Sequence, residues 1–164
     1  MLTNDTSMNP IMLYAVITYD EGGIVKYMIL AVCVDEKNGR MFNHRRQSQD
    51  RVLRENLLQE CGEKKLYMNG YSGNLFKASG GIVVSENFLG EAKEGEFCFV
   101  EDAVIEDYLQ RIEAVILYKW NRRYPADVYF TLDLSDEKWM LERTEEFKGS
   151  SHERITKEVY RKIR

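Results

Sequence analysis

The chain has 164 residues, of which 44% are hydrophobic and 30% charged, and its formal net charge is −4 at pH 7. This length and composition are typical of one globular domain with a sizeable core, and they exclude a chain that is disordered throughout. A mildly acidic domain has no general electrostatic attraction to nucleic acid or to an anionic membrane, so we expect neither as a partner.

Compartment and metal content can also be predicted from the sequence. No apolar run reaches the roughly 18 residues that span a bilayer, and the N-terminus lacks the features of a secretory signal. The cysteines Cys33, Cys61 and Cys98 are odd in number and widely spaced, which argues against disulfides and against a zinc site. We therefore expect a cytoplasmic protein with free cysteines and no metal. The two histidines, His44 and His152, are predicted to lie on the surface.

In chain order, two similar stretches come first. Residues 11–23 and 26–39 each consist of an apolar run followed by an acidic turn that contains glycine. The two runs could form a hairpin, or residues 1–27 could be an extension or extra strand that precedes a domain of residues 28–164. The uninterrupted apolar run at 28–34 predicts a central strand that is covered on both faces.

A helix is predicted next, with Ser48 as a plausible N-cap, Asp50 in its first turn and Gly62 at its end. Short strands and a short helix follow. The strands are expected at 64–68, 82–85 and 97–100, and the helix at 103–112.

The C-terminal third reads as strands. Residues 113–134 predict a long strand that is interrupted near Tyr124 and Pro125. Two later stretches, at 138–147 and 152–163, alternate apolar and polar residues and predict a closing antiparallel pair. Strands that alternate with helices and end in a strand pair indicate a mostly parallel sheet, flanked by helices, with an antiparallel C-terminal edge.

Several segments, in this order, resemble dihydrofolate reductases. MILAVCVDEKNG resembles the first strand and the start of the mobile loop of that family, and WMLERTEEF and ITKEVYRKI resemble its last two strands. SQDRVLRENLL resembles the first helix, where Asp50 falls on the acidic residue that binds the pterin and supports its protonation. ILYKWNRRYPADVYF resembles a later strand, with Asp127 on the family's aspartate. The resemblance implies a three-layer α/β domain of the dihydrofolate reductase kind.

Other segments resemble the cofactor site of the family. KKLYMNGYS resembles the strand that leads to the phosphate-binding turn, where Ser72 matches a threonine. IVVS resembles the next strand, which ends at Ser85 and approaches the ribose phosphate. Gly70, however, stands where the family has the arginine that contacts the extra phosphate of NADPH.

The end of the fifth strand departs most from the family. The family has two glycines there, so that the backbone can approach the pyrophosphate, whereas this chain has Glu101 and Asp102. A like-charge pair at about 4 Å costs roughly 4 kcal/mol at an effective dielectric of 20. We therefore expect NADPH binding in the usual mode to be weak or absent, and the sequence indicates no other cofactor.

Each candidate site residue also has a purely structural interpretation. Asp50, the candidate catalytic acid, could be an ordinary first-turn aspartate. Glu101 and Asp102 could bind a cation or ligand at a strand end, or could cap a helix. Trp120 lies among tyrosines that could stack on a flat ligand or fill the core. The arginines between 45 and 54 are interpreted as a solvated helix face near Glu55.

Two functions therefore remain open, while a third, a nucleic-acid-processing protein, rests only on the arginine cluster and the aromatic residues and is weakened by the acidic net charge. The first is a reductase of a pterin-like or pyrimidine-like heterocycle, in which Asp50 binds the ring and relays a proton, while Ser72, Ser85, Glu101, Asp102 and Trp120 contact ligands. The second is a non-catalytic relative of the fold that binds another small molecule or a protein through the altered cleft.

Overall fold

The computed structural model describes residues 25–77 and 79–163. The predicted strand at 11–23, and the choice between a hairpin and an extension at 1–27, lie outside these residues or at their margin. The strands are β1 (Met28–Val34), β2 (Gly39–Phe42), β3 (Arg45–Arg46), β4 (Leu66–Met68), β5 (Ile82–Val84), β6 (Phe97–Val100), β7 (Ile112–Lys119), β8 (Val128–Tyr129), β9 (Trp139–Phe147) and β10 (Ile155–Lys162). The α-helices are α1 (Arg51–Cys61), α2 (Gly70–Gly73) and α3 (Phe88–Glu91), and short 3-10 helices lie at Asn74–Phe76 and Glu106–Arg111.

Seven strands form the main sheet in the order β5-β4-β6-β1-β7-β10-β9. The five strands from β5 to β7 run parallel, while β10 pairs antiparallel with both β7 and β9. The predicted mostly parallel sheet with an antiparallel C-terminal edge is confirmed. A second, three-stranded antiparallel sheet has the order β3-β2-β8.

The sheet is covered on both faces, which makes three layers. On one face α1 contributes Leu53, Leu57 and Cys61 to a core cluster that includes Phe99 and Ile116. On the other face the cluster combines β-strand residues with side chains of α3 and of the later loops. The apolar run of β1 is central because neighbouring strands pair with it on both sides.

Two helix predictions were wrong in detail. The N-cap of α1 is Asp50, whose side chain accepts hydrogen bonds from the backbone of Val52 and Leu53, so Ser48 is not the cap. The helix predicted at 103–112 is a 3-10 helix at Glu106–Arg111, and its N-cap residue is Ile105. Asp102 therefore caps no helix. Among the described residues, no helix is long and apolar enough to cross a membrane.

Candidate functional site

The register of the parallel strands brings three of the predicted site residues to one edge of the sheet. Val32 of β1 pairs with Val100 of β6 and with Leu117 of β7. Consequently Glu101, which follows β6, and Trp120, which follows β7, lie at the carboxyl ends of their strands on either side of β1. This edge is where open α/β sheets usually bind ligands.

Asp50 enters this edge from the start of α1 and is 2% exposed. Its Oδ1 atom accepts hydrogen bonds from the backbone N–H groups of Val52, Leu53 and Ser150, at 3.0, 3.2 and 2.9 Å. Its Oδ2 atom lies 2.8 Å from Ser151 N, 3.1 Å from Ser151 Oγ and 3.1 Å from His152 Nδ1. The carboxylate therefore joins α1 to the turn between β9 and β10.

This environment stabilises the charged form of Asp50. Burial by itself would raise the pKa of the carboxyl group. Hydrogen bonds from the backbone of Ser151, Ser150 and Leu53, and from the side chain of His152, outweigh burial, so the pKa lies well below its usual range. Asp50 is consequently an ionised hydrogen-bond acceptor near neutral pH.

His152 is buried, at 5% exposure, so the prediction of a surface position was wrong for this residue. Its ring stacks on Trp120, with centroids 4.5 Å apart and an interplanar angle of 24°. Nδ1 faces Asp50, while Nε2 lies 3.1 Å from Ser48 Oγ and 3.2 Å from Tyr124 Oη. His44 is exposed, as predicted. Trp120, on which the His152 ring stacks, is itself buried at 3% exposure.

A second buried carboxylate, Glu101, holds the strand β3 against the sheet. Its two oxygens accept hydrogen bonds from Arg46 Nε at 2.8 Å and Arg46 Nη2 at 2.9 Å. Ser72 Oγ donates a further hydrogen bond at 2.7 Å. The guanidinium lies 4.2 Å from the centre of the Tyr71 ring, and Arg46 N–H donates to Tyr71 Oη at 2.8 Å. Arg46 therefore does not belong to a solvated helix face, in contrast to the exposed Arg51–Glu55 pair.

The remaining predicted residues lie further out on this edge. Asp102 is exposed and accepts a hydrogen bond from Asn69 Nδ2 at 2.8 Å. Ser85 Oγ accepts a hydrogen bond from the backbone N–H of Asn87 at 3.2 Å. At the predicted phosphate turn, the N–H of Gly70 donates to Glu86 Oε2 at 2.8 Å. Thus the structure brings Ser72 and Glu101 into contact, whereas it places Asp102 and Ser85 in separate local contacts.

Asp35, at the end of β1, extends the buried network, although sequence analysis did not single it out. The carboxylate is 3% exposed and accepts hydrogen bonds from the backbone of Lys37, Gly39 and Tyr124 and from Gln47 Nε2. Burial would raise its pKa, but these hydrogen bonds lower it overall. The aspartate therefore anchors both the turn before β2 and the loop after β7.

Little space remains between β1, α1 and β6. The cavity there has a volume of about 10 Å³, and its lining includes Cys33, Asp50, Leu53, Glu101 and Trp120. One water needs about 10–15 Å³, whereas small-molecule pockets usually measure about 300–1,000 Å³. Burial raises the pKa of Cys33, and the nearby carboxylates of Glu101 and Asp50 add to this effect, so its thiol is protonated.

No group of three or more histidine, cysteine, aspartate or glutamate side chains within residues 25–77 and 79–163 could hold a metal ion. The three cysteines are free thiols. Sequence analysis missed Arg46, Asp35 and His152 as members of the network. A basic residue near a turn and a lone histidine usually lie on the surface, so the sequence contained no strong signal for their burial.

Comparison with known proteins identifies the fold. No family model and no curated protein matches the sequence. The structure resembles dihydrofolate reductase from Enterococcus faecalis, solved in complex with NADP(H) and RAB-propyl, with a TM-score of 0.61. The match covers 84% of this chain and 97% of the enzyme at 7% sequence identity. The chain therefore has the dihydrofolate reductase fold, as its sequence segments predicted.

Proposed function

We propose that this protein is a ligand-binding relative of dihydrofolate reductase that does not perform the reductase reaction. The observation that carries this proposal is the occupied edge of the sheet. The space lined by Asp50, Glu101 and Trp120 has a volume of about 10 Å³, far below that of a pterin pocket. Its lining side chains are held by other parts of the protein: Asp50 by the turn between β9 and β10, Glu101 by Arg46 and Ser72. Opening the space would therefore require several of these contacts to be broken together.

The contacts of Asp50 support the same conclusion. A ring-binding acid needs free lone pairs for the substrate and a pKa near the working pH. Oδ1 of Asp50 already accepts three backbone hydrogen bonds, and Oδ2 accepts one from Ser151 N–H and lies within hydrogen-bond distance of Ser151 Oγ and His152 Nδ1. The pKa of Asp50 lies well below its usual range because the hydrogen-bond donors outweigh the effect of burial. We infer that Asp50 is a structural carboxylate, which joins α1 to the turn between β9 and β10.

The end of β6 also fits poorly with a bound pyrophosphate. A phosphate cradle uses free backbone N–H groups at the start of an α-helix. Here β6 is followed by a bend and a six-residue 3-10 helix, and Glu101 is the first residue after the strand. Because Arg46 neutralises Glu101, electrostatic repulsion is smaller than two bare carboxylates would give. The obstacle that we infer is steric: Arg46, Tyr71 and Ser72 occupy the approach to β6.

The test combines binding and turnover. Methotrexate present at 100 times its dissociation constant would stabilise the protein by about 2.7 kcal/mol, which raises the melting temperature of a domain of this size by about 5–11 °C. We expect no such shift, and no oxidation of NADPH in the presence of dihydrofolate. A dihydrofolate reductase assayed in parallel is the positive control. Methotrexate stabilisation would refute the occupied edge of the sheet, and turnover that Asp50→Asn abolishes while the protein stays folded would establish the reductase hypothesis instead.

A further inference from the structure

Two adjoining surface depressions lie outside the occupied edge. One, of about 440 Å³, is lined by residues of the β1–β2 turn, of the loop between β7 and β8 and of β8 itself, including Lys37, Arg123 and Tyr129. The other, of about 320 Å³, is lined mainly by β2, β3 and the turn that joins them, including Phe42 and Arg45. Both are bordered by Tyr124 and Pro125, so the two form one surface, which we call the hairpin surface.

The hairpin surface is locally basic although the whole chain carries a charge of −4. The side chains of Lys37, Arg45 and Arg123 are exposed. Within the described part of the chain none of these three cations forms a salt bridge. By contrast, the exposed Arg143 and Arg161 of the β9–β10 edge each pair with a carboxylate. Unpaired cations around a depression attract anions such as phosphate.

Two of the acidic residues near these cations accept hydrogen bonds within the protein. Asp35 borders the larger depression, but its carboxylate accepts four hydrogen bonds from the protein and is 3% exposed. Asp127 is exposed, and its Oδ2 accepts a hydrogen bond from the backbone N–H of Asn43 at 3.0 Å. Glu36 is exposed on the same turn as Lys37. These acids reduce the local positive charge without pairing with Lys37, Arg45 or Arg123.

Flat apolar groups accompany the cations. Phe42 and Tyr129 are each 47% exposed, and the ring of Tyr124 borders both depressions. Aromatic side chains at a basic surface offer stacking platforms for the flat rings of nucleobases. The hydroxyl group of Tyr124 is fixed by His152, and that of Tyr129 donates to Ala126 O at 3.1 Å, so both rings are held in place from within the protein.

Gln47 connects the residues that border the two depressions. This residue borders the smaller depression, and its Nε2 donates to Asp35 and to the carbonyl of Pro125. Because both partners are acceptors, the orientation of the amide is fixed. Its Oε1 atom is buried and has no hydrogen-bond partner among the described residues. Because this atom has no exposed surface, a ligand in the depression does not contact it, and Gln47 instead holds Pro125 next to Asp35 beneath the hairpin surface.

We propose that the hairpin surface binds a nucleotide, either free or as part of a single-stranded nucleic acid. The phosphate lies against Lys37 and Arg123, which line the same depression, Arg45 of the adjoining depression adds positive charge, and the base stacks on Tyr129 or Tyr124. This inference rests on the proposed ligand-binding function and names the class of ligand. The same chemistry is present in a mononucleotide and in a short strand, and only the strand can place several phosphates on the surface at once.

The experiment measures binding of AMP by calorimetry and of a fluorescein-labelled oligothymidylate by anisotropy. The test variant is the double substitution Lys37→Ala and Arg123→Ala. Its matched control is Lys65→Ala and Lys93→Ala, which removes the same charge from exposed residues just before β4 and β6, at the opposite ends of the strands. We expect the test variant to lose binding by about a hundredfold or more, because it removes two charged donors and hydrogen bonds to charged groups contribute roughly 1.5–3 kcal/mol each. The control should bind as the wild type does.

A second variant tests the ring. Tyr129→Ala should weaken oligothymidylate binding by about tenfold, since stacking contributes roughly 1–3 kcal/mol per base, and should leave the salt dependence unchanged. The Lys37 and Arg123 substitutions should reduce the slope of log K against the logarithm of the salt concentration by about 0.7 in magnitude for each lost phosphate contact. Tighter binding of the strand than of AMP identifies nucleic acid as the source, and equal binding identifies the free nucleotide. Absence of binding to both, or equal losses in the test and control variants, would overturn the proposal.

NADPH separates this inference from the proposed function. NADPH carries phosphates and a base, so it should stabilise the wild type through the hairpin surface and lose that effect in the Lys37 and Arg123 double variant. Stabilisation that survives the double substitution would place NADPH elsewhere and would count against the non-reductase function. Failure of AMP and oligothymidylate to bind, with no methotrexate effect, would refute only the hairpin surface.

Discussion

The substitution Asp50→Asn tests the structural role of the buried carboxylate most directly. The amide that replaces it keeps one acceptor oxygen, which can serve the donors now on Oδ1. In the wild type, Oδ2 lies 2.8 Å from Ser151 N and 3.1 Å from His152 Nδ1. In the variant, the NH₂ group would take the place of Oδ2. It would face the Ser151 N–H and, in the tautomer in which His152 donates to Asp50, also the His152 Nδ1–H. Each buried donor left without an acceptor costs about 1–3 kcal/mol, so we expect a loss of about 2–6 kcal/mol in the free energy of unfolding.

Urea denaturation followed by circular dichroism measures this loss, and a melting curve should show a decrease of roughly 4–24 °C for a domain of this size. The matched control is Asp107→Asn, because Asp107 is an exposed aspartate in the 3-10 helix. The control should change stability by less than about 0.5 kcal/mol. If Asp50→Asn were as stable as the control, the carboxylate would not hold the turn between β9 and β10, and the structural role would be refuted.

Stability should also depend on pH through Asp50. Its pKa is lower in the folded protein than the unfolded value of about 3.9, so its contribution is fully present above the unfolded pKa. That contribution is lost as the pH falls from there toward the folded pKa. Unfolding curves between neutral pH and strongly acidic pH should therefore show a steeper loss of stability for the wild type than for Asp50→Asn. Parallel curves for the two proteins would contradict the lowered pKa.

Two further substitutions test the packing of the network. Arg46→Ala leaves Glu101 buried without its cation and should lower the free energy of unfolding in urea by about 3–5 kcal/mol. Arg46→Lys should restore only part of this stability, because lysine cannot form the bidentate contact. Full recovery of stability with lysine would contradict a role for the bidentate contact. Gly149→Ala should lower the melting temperature, since an added Cβ would collide with the Asp50 carboxylate. The control Gly80→Ala adds a Cβ in open space and should leave the melting temperature unchanged. Equal melting temperatures for the two variants would show that the turn between β9 and β10 can move aside.

Much of the fold could be predicted from the sequence because its signals are local. The apolar run of β1 identified a central strand, and the alternating pattern of β9 and β10 identified an antiparallel edge. The short helix predicted at 103–112 is a 3-10 helix at Glu106–Arg111. Its spacing of apolar residues suits either form, and the choice depends on packing against the sheet.

The candidate site was predicted only in part. Asp50, Glu101 and Trp120 were identified, and the structure places all three around one small cavity. Their partners were missed. Asp50 contacts a histidine 102 positions away along the chain, and Glu101 pairs with Arg46 across 55 positions, separations at which one sequence contains no pairing signal.

The sequence by itself therefore determined the layered α/β architecture and the edge of the sheet where polar groups gather, because strand periodicity and strand ends are properties of neighbouring residues. The tertiary structure alone decided that these polar groups are satisfied by other parts of the protein and leave almost no cavity between them. The physical reason is that a buried carboxylate is stable only with donors around it, and here those donors come from distant segments that meet only when the chain is folded.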